Sequence, residues 1–85
     1  RVLNDINSKN VHYSRKLHTA FAKNTLTASE VQDILENGSV NFSRSNTKLD
    51  SCKIYVIEKV FDKKNYLISL KNCAKEVKVF DYSFE

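Results

Sequence analysis

The spacing of apolar residues along this chain changes once, at Gly38: helical before it, alternating after it. In "RVLNDINSK", Val2, Leu3 and Ile6 suit one or two turns of amphipathic helix. Asn10 reads as the cap of a second helix from about Val11 to Lys23, with Leu17, Ala20, Phe21 and Tyr13 as its apolar stripe. Asn24 and Thr25 end it. The stretch "LTASEVQDILENG" predicts a third helix with both ends marked. Thr27 followed three residues later by Glu30 is a capping box. Val31, Ile34 and Leu35 form the buried face, and Asn37-Gly38 is the stop, with Gly38 expected in the left-handed position past the helix end.

After Gly38 the pattern is that of strands. "SVNFSRS" alternates Val40 and Phe42 with Asn41 and Ser43, "NTKLD" is a loop, and "SCKIYVIEKVF" is a long run of β-branched and aromatic residues. "DKKN" is a turn, "YLISL" a strand, "KNCAKE" a turn and "VKVFDYSF" the last strand. Short connections between successive strands favour an antiparallel meander. The expected fold class is therefore α+β: two or three N-terminal helices on one face of a roughly four-stranded antiparallel sheet.

Alternation then assigns faces. Cys52, Ile54, Val56 and Val60 are expected to point toward the helices, with Glu58 interrupting them, while Lys53, Tyr55, Ile57, Lys59 and Phe61 point away. In the last strand Val77, Val79 and Asp81 oppose Lys78, Phe80 and Tyr82. The uncovered face would mix lysines with aromatics, and Lys53, Tyr55, Lys78 and Tyr82 are its candidate RNA contacts: ammonium groups for phosphates, rings for unpaired bases. The bland alternative is that Phe61 and Phe80 complete a second small core beneath solvated lysines.

Composition narrows the class. The chain has 85 residues, enough for one domain, with 41% hydrophobic and 28% charged residues, as in a globular chain. Proline is absent and glycine occurs once, which leaves no long linker and no glycine-rich phosphate loop. Arg1 opens the chain and methionine is missing throughout, which reads as a domain cut from a longer protein. No apolar run is long enough to span a membrane. The net charge of +4 fits a nucleic-acid partner, although many small domains share it. Cys52 and Cys73 lack zinc-ligand spacing and are compatible with one disulfide or two buried thiols. A turn at Asp62–Asn65 would place them diagonally on one face, close but not opposite.

The residues able to do chemistry crowd ahead of the capped helix. His12, Ser14, Arg15, Lys16 and His18 fall within seven positions, and on one helix His12–Lys16 and Ser14–His18 would be i, i+4 neighbours. Cleaving RNA without a metal needs a base for the 2′-hydroxyl, an acid for the departing 5′ oxygen and cations for the phosphorane. Histidine suits the proton transfers, arginine and lysine the charge. His18 and His12 are the candidate acid and base, with Arg15, Lys16 and Arg44 on the phosphate. The scattered carboxylates show no metal-binding spacing, so no metal and no cofactor is expected.

From about Tyr13 onward the chain resembles a family of small bacterial domains of unknown function. Their pattern is a histidine-containing helix, then Ile/Leu-Ser/Thr-x-x-Asp/Glu-Val/Ile-x-x-x-Ile/Leu-x-x-Gly, then an antiparallel sheet. Here Leu26-Thr27, Glu30-Val31 and the run from Ile34 to Gly38 carry it. The order of elements also resembles the barnase–EndoU–colicin–RelE superfamily of ribonucleases. That family's helix tends to carry His-x-x-x-Arg-x-x-x-Arg, at positions held here by Lys16, Ala20 and Asn24. The resemblance implies a metal-independent endoribonuclease acting on tRNA, the toxic C-terminal domain (residues 1–85) of a larger contact-dependent inhibition or polymorphic toxin. It also implies a cognate immunity or antitoxin protein, a host activating factor such as an elongation factor, and delivery by secretion or from the cell surface into a target-cell cytoplasm. The alternative is a non-catalytic RNA- or protein-binding module of a toxin–antitoxin or immunity system.

Overall fold

The computed structural model describes residues 6–46, 48 and 52–85. Among these, strand β1 spans Asn10–Tyr13, helix α1 Arg15–Ala22, helix α2 Ala28–Asn37, β2 Ser39–Val40, β3 Lys53–Phe61, β4 Lys64–Asn72 and β5 Glu76–Phe84. The five strands form one sheet in the order β1-β5-β4-β3-β2. Strands β2 to β5 are the expected antiparallel meander, and β1 adds a fifth strand parallel to β5. The class is α+β.

The expected helix from Val11 to Lys23 is divided. Val11 and Tyr13 alternate with polar neighbours and are poor helix formers beside a free sheet edge. They pair with Val77 and Val79, so His12 lies on a strand and the helical His12–Lys16 neighbourhood does not form. Ser14 ends β1, its N–H reaching Val79 O at 2.9 Å and its hydroxyl Phe80 O at 3.3 Å. Helix α1 then buries Leu17 and Ala20. Its end is a Schellman turn: Asn24 takes φ 58°, its N–H bonds Phe21 O and that of Thr25 bonds Ala20 O. At the N-terminus Val2 and Leu3 lie outside the described residues, whereas Ile6 is helical and fully buried.

Helix α2 forms as its sequence reads. The Thr27 hydroxyl accepts the Glu30 N–H at 3.1 Å, Glu30 Oε1 accepts the Thr27 N–H at 2.9 Å, and Val31, Ile34 and Leu35 are buried. Gly38 does not adopt the left-handed conformation: its φ is −78° and ψ −174°. Contact requires it instead. A Cβ there would lie 2.5 Å from Ile34 O and 2.8 Å from Glu58 O, so only glycine lets the helix end pass directly against β3.

The strand run "SVNFSRS" pairs only at Ser39–Val40 and then turns through Phe42–Arg44. Asn41 N–H still bonds Val56 O at 2.7 Å, and Asn46 bridges to Ile54. Most of the expected loop over 46–50 lies outside the described residues. Strands β3 and β4 meet in a two-residue turn, Asp62 and Lys63 at φ 48° and 70°, rather than the four-residue turn expected. That register sets Lys53 opposite Asn72, and Cys52 and Cys73, one step beyond, are joined directly as a disulfide rather than lying diagonally or as free thiols. With a sequence separation of 21, the bridge contributes about 3 kcal/mol through the unfolded chain.

The faces of β3 are the reverse of those expected. Tyr55 and Ile57 join Ile68, Leu70, Val77 and Val79 in the core under the helices, with Phe61 packed at its margin, while Ile54, Val56 and Val60 face out. Alternation misled because both faces bury apolar groups: Val56 and Leu67 are buried on the outer face too. There Arg44 leaves the 41–46 loop and reaches across β3 and β4 to Glu85 Oε2 at 2.7 Å. Leu26, Ile34, Ile57, Ile68 and Leu70 anchor the core, each stabilising by about 1.5–3 kcal/mol.

Gly38→Ala is expected to destabilise the domain by about 3 kcal/mol, the upper end for overpacking against backbone. Urea denaturation checks it, and a loss under about 0.5 kcal/mol would contradict the close approach.

Candidate nucleic-acid interface

The structure disperses the candidate catalytic residues. His12 and His18 lie on opposite faces of β1. His12 shares the outer face with its register partner Lys78, and its Nε2 stands 3.3 Å from Glu76 Oε2. His18, on α1, packs edge-on against Tyr13 and Phe21 with ring centroids 6.3 and 6.2 Å apart, on the helix side. Arg15 and Lys16 are exposed at the start of α1. Arg44 is on the far edge of the sheet, bound to Glu85. No single cleft holds two histidines and a cation, and among the described residues no group of three or more metal-ligating side chains converges.

The candidate RNA contacts separate as well. Tyr55 is buried in the core, its ring out of reach of a base. Lys53 is exposed at the disulfide end of β3, and Lys78 is on the outer face. Tyr82 is on the helix side, not the outer one. The reason is a bulge: pairing steps from Leu70↔Val79 to Ser69↔Asp81, leaving Phe80 as the extra residue. Past it Tyr82 and Phe84 fall on the same face as Val77 and Val79.

That shift builds a feature the linear pattern does not show. On the helix side, Phe61 of β3, Tyr66 of β4 and Phe84 and Tyr82 of β5 form a continuous ladder of rings, with successive centroids 4.9, 4.8 and 5.7 Å apart. All four are half-buried at the margin of the core. Lysines stand over the rings: Lys59 5.0 Å from the Phe61 centroid, Lys64 5.3 Å from Phe84 and Lys16 5.4 Å from Tyr82. Both helices fix the ladder. Asp33 of α2 holds Lys59 at 2.6 Å, and the Glu30 carboxylate of α2 lies near the Tyr66 hydroxyl. Lys16 of α1 holds Asp81 at 2.5 Å beside Tyr82. The signal available in the sequence was the aromatic content of the strand ends, Phe61, Tyr66, Tyr82 and Phe84; the bulge that gathers them was not legible.

The protonation states here favour binding over proton transfer. The bonded Lys16 ammonium holds the Asp81 carboxyl below the usual carboxylate range, while the bond to Asp81 raises Lys16 above the usual lysine range. Lys16 therefore stays cationic at neutral pH and is unsuited to act as a base. Burial, followed by the nearby Glu30 carboxylate, pushes the Tyr66 hydroxyl up and keeps it a donor. A cavity of about 210 Å³ between the end of α2 and β3, lined by Gly38, Ser39, Glu58, Lys59, Val60 and Asn65 among others, contains none of the candidate catalytic residues and only Lys59 of the ladder.

Compared with known proteins, the chain matches no family model, no curated protein and no solved structure. The site is read from its own geometry.

The depressed Asp81 pKa contributes stability that is present at neutral pH and lost as pH falls through the acidic carboxylate range. Lys16→Gln is expected to raise the Asp81 titration midpoint toward that of an unpaired carboxylate, as followed by NMR of the side-chain carboxyl. An unmoved midpoint would refute the pair's role.

Proposed function

We propose that this domain is a non-catalytic RNA-binding module that stacks unpaired bases on the Tyr82–Phe84–Tyr66–Phe61 ladder. The ladder itself carries the reading: rings from three neighbouring strands with ammonium groups poised above them, the combination that tolerates any base while neutralising its phosphate. Lys64 exchanges its ring for phosphate when a base enters, and exposed Arg15 on α1 extends the cationic rim beyond Tyr82, with the exposed His18 imidazole beside it. The net charge of +4 adds a sequence-independent attraction.

Catalysis has less support. His12 and His18 are held apart by the sheet edge, and Lys16 and Arg44 are each engaged by a carboxylate. Where the resemblance expects His, Arg and Arg, the chain has Lys16, Ala20 and Asn24. A degenerate relative of a ribonuclease that keeps the scaffold and an RNA-holding surface fits these positions. The Cys52–Cys73 bridge supports folding in an oxidising compartment, in keeping with a domain that leaves the cytoplasm where it is made.

Fluorescence anisotropy with a labelled single-stranded oligouridine tests the reading. Wild type is expected to bind with strong salt dependence, and Tyr82→Leu to weaken binding by about 10- to 100-fold, the loss of one stacked base. Incubation of the same RNA with EDTA is expected to leave it intact. Discrete cleavage abolished by His18→Ala would replace this reading with the metal-independent ribonuclease, and no RNA binding by wild type would overturn it.

A further inference from the structure

The outer face, at the disulfide end of the sheet, carries two lysines and a histidine in a row that the ladder does not use. Lys71 and Lys78 are direct cross-strand partners in the β4–β5 register, and Lys78 is in turn the partner of His12 across the β1–β5 register. Strand alternation puts all three side chains on the face away from the helices, and all three are exposed. Two lysines directly opposite one another repel. Among the described residues no carboxylate pairs with either of them. The sheet thus holds a local excess of positive charge that an external anion would relieve.

The surroundings of the row indicate which anion. Ile54, the β3 partner of Lys71, is half-buried beside it. Phe80, half-buried at the bulge, lies with its ring centroid 5.9 Å from Lys71 Nζ. Among the described residues Phe80 is a single ring with no aromatic neighbour in the row, and Ile54 beside it has no π-face for a base. The row also accepts one carboxylate already, that of Glu76 against His12. Carboxylates flanked by apolar side chains match this setting, whereas a sugar–phosphate chain has nothing to place against Ile54 and Phe80.

We propose that the Lys71–Lys78–His12 row docks an acidic polypeptide segment of a partner protein, its carboxylates on Lys71 and Lys78 and its apolar side chains against Ile54 and Phe80. The row and the ladder are on opposite faces of the sheet, so the two surfaces bind independently and the domain links an acidic protein to RNA.

The test uses the oxidised 85-residue chain and a fluorescein-labelled peptide, Asp-Glu-Leu-Asp-Glu-Phe, read by anisotropy beside the labelled oligouridine. Wild type is expected to bind the peptide, with affinity falling about tenfold as salt rises toward physiological strength and screens the charges. The double variant Lys71→Glu, Lys78→Glu, which takes the net charge from +4 to 0, is expected to lose peptide binding while weakening oligouridine binding by no more than about tenfold, through the lost general attraction alone. The milder Lys71→Gln, Lys78→Gln variant, which leaves no new repulsion in the sheet, is expected to fall between. Peptide binding that is absent in wild type, or unchanged in both variants, overturns the proposal. Loss of oligouridine binding in place of peptide binding also overturns it and assigns the row to phosphate. If oligouridine binds to no variant while the peptide behaves as expected, the RNA reading fails and this one stands.

Discussion

The two-residue turn at Asp62–Lys63 is the constraint to which the rest of the sheet is indexed. It places Phe61 opposite Lys64 and, at the ninth and last pair, Lys53 opposite Asn72. A slip of one residue would turn every side chain of β3 to the other face: Tyr55 and Ile57 would leave the core, and Phe61 would no longer lie beside Tyr66. The turn achieves this without glycine. Asp62 and Lys63 both occupy the left-handed region that the tight hairpin demands, a local strain offset by nine paired positions and by the disulfide at the opposite end.

The bulge at Phe80 is the second such device. Upstream of it β5 follows simple alternation, with Val77 and Val79 inward and Lys78 outward. Downstream the phase is reversed, so Tyr82 and Phe84 are brought inward where simple alternation would put them outside. One extra residue therefore separates a cationic outer surface at one end of β5 from an aromatic inner surface at the other. The bulge sits where β1 stops and α1 starts, since the Ser14 hydroxyl bonds the Phe80 carbonyl. The strand's change of phase and the chain's change from strand to helix occur at the same place.

Local signals in the sequence were reliable where the physics is local. The Thr27–Glu30 box, the Val31/Ile34/Leu35 stripe and the Asn24 terminus depend on contacts within a few residues, and each forms as read. The meander was legible because turn-forming clusters separate its strands. What was not legible depends on partners far along the chain. Val11 and Tyr13 become a strand because β5 offers them an edge 66 positions away in register. Gly38 is set by the Glu58 carbonyl, not by its own backbone preference. The candidate site fared worst for the same reason. His12 and His18 are six positions apart in sequence, and proximity in sequence suggested a shared cleft. A strand-to-helix junction between them turns them to opposite sides, while Phe61, Tyr66, Tyr82 and Phe84, scattered in sequence, converge.

The Cys52–Cys73 bridge has a topological side beyond its effect on stability. It joins the open end of the β3–β4 hairpin, so the intervening residues form a closed covalent ring with the remaining chain as two tails. Drawn through a narrow channel from either end, the oxidised protein cannot pass as a single thread. Wherever the ring enters, two chains must travel abreast until a reductant opens it.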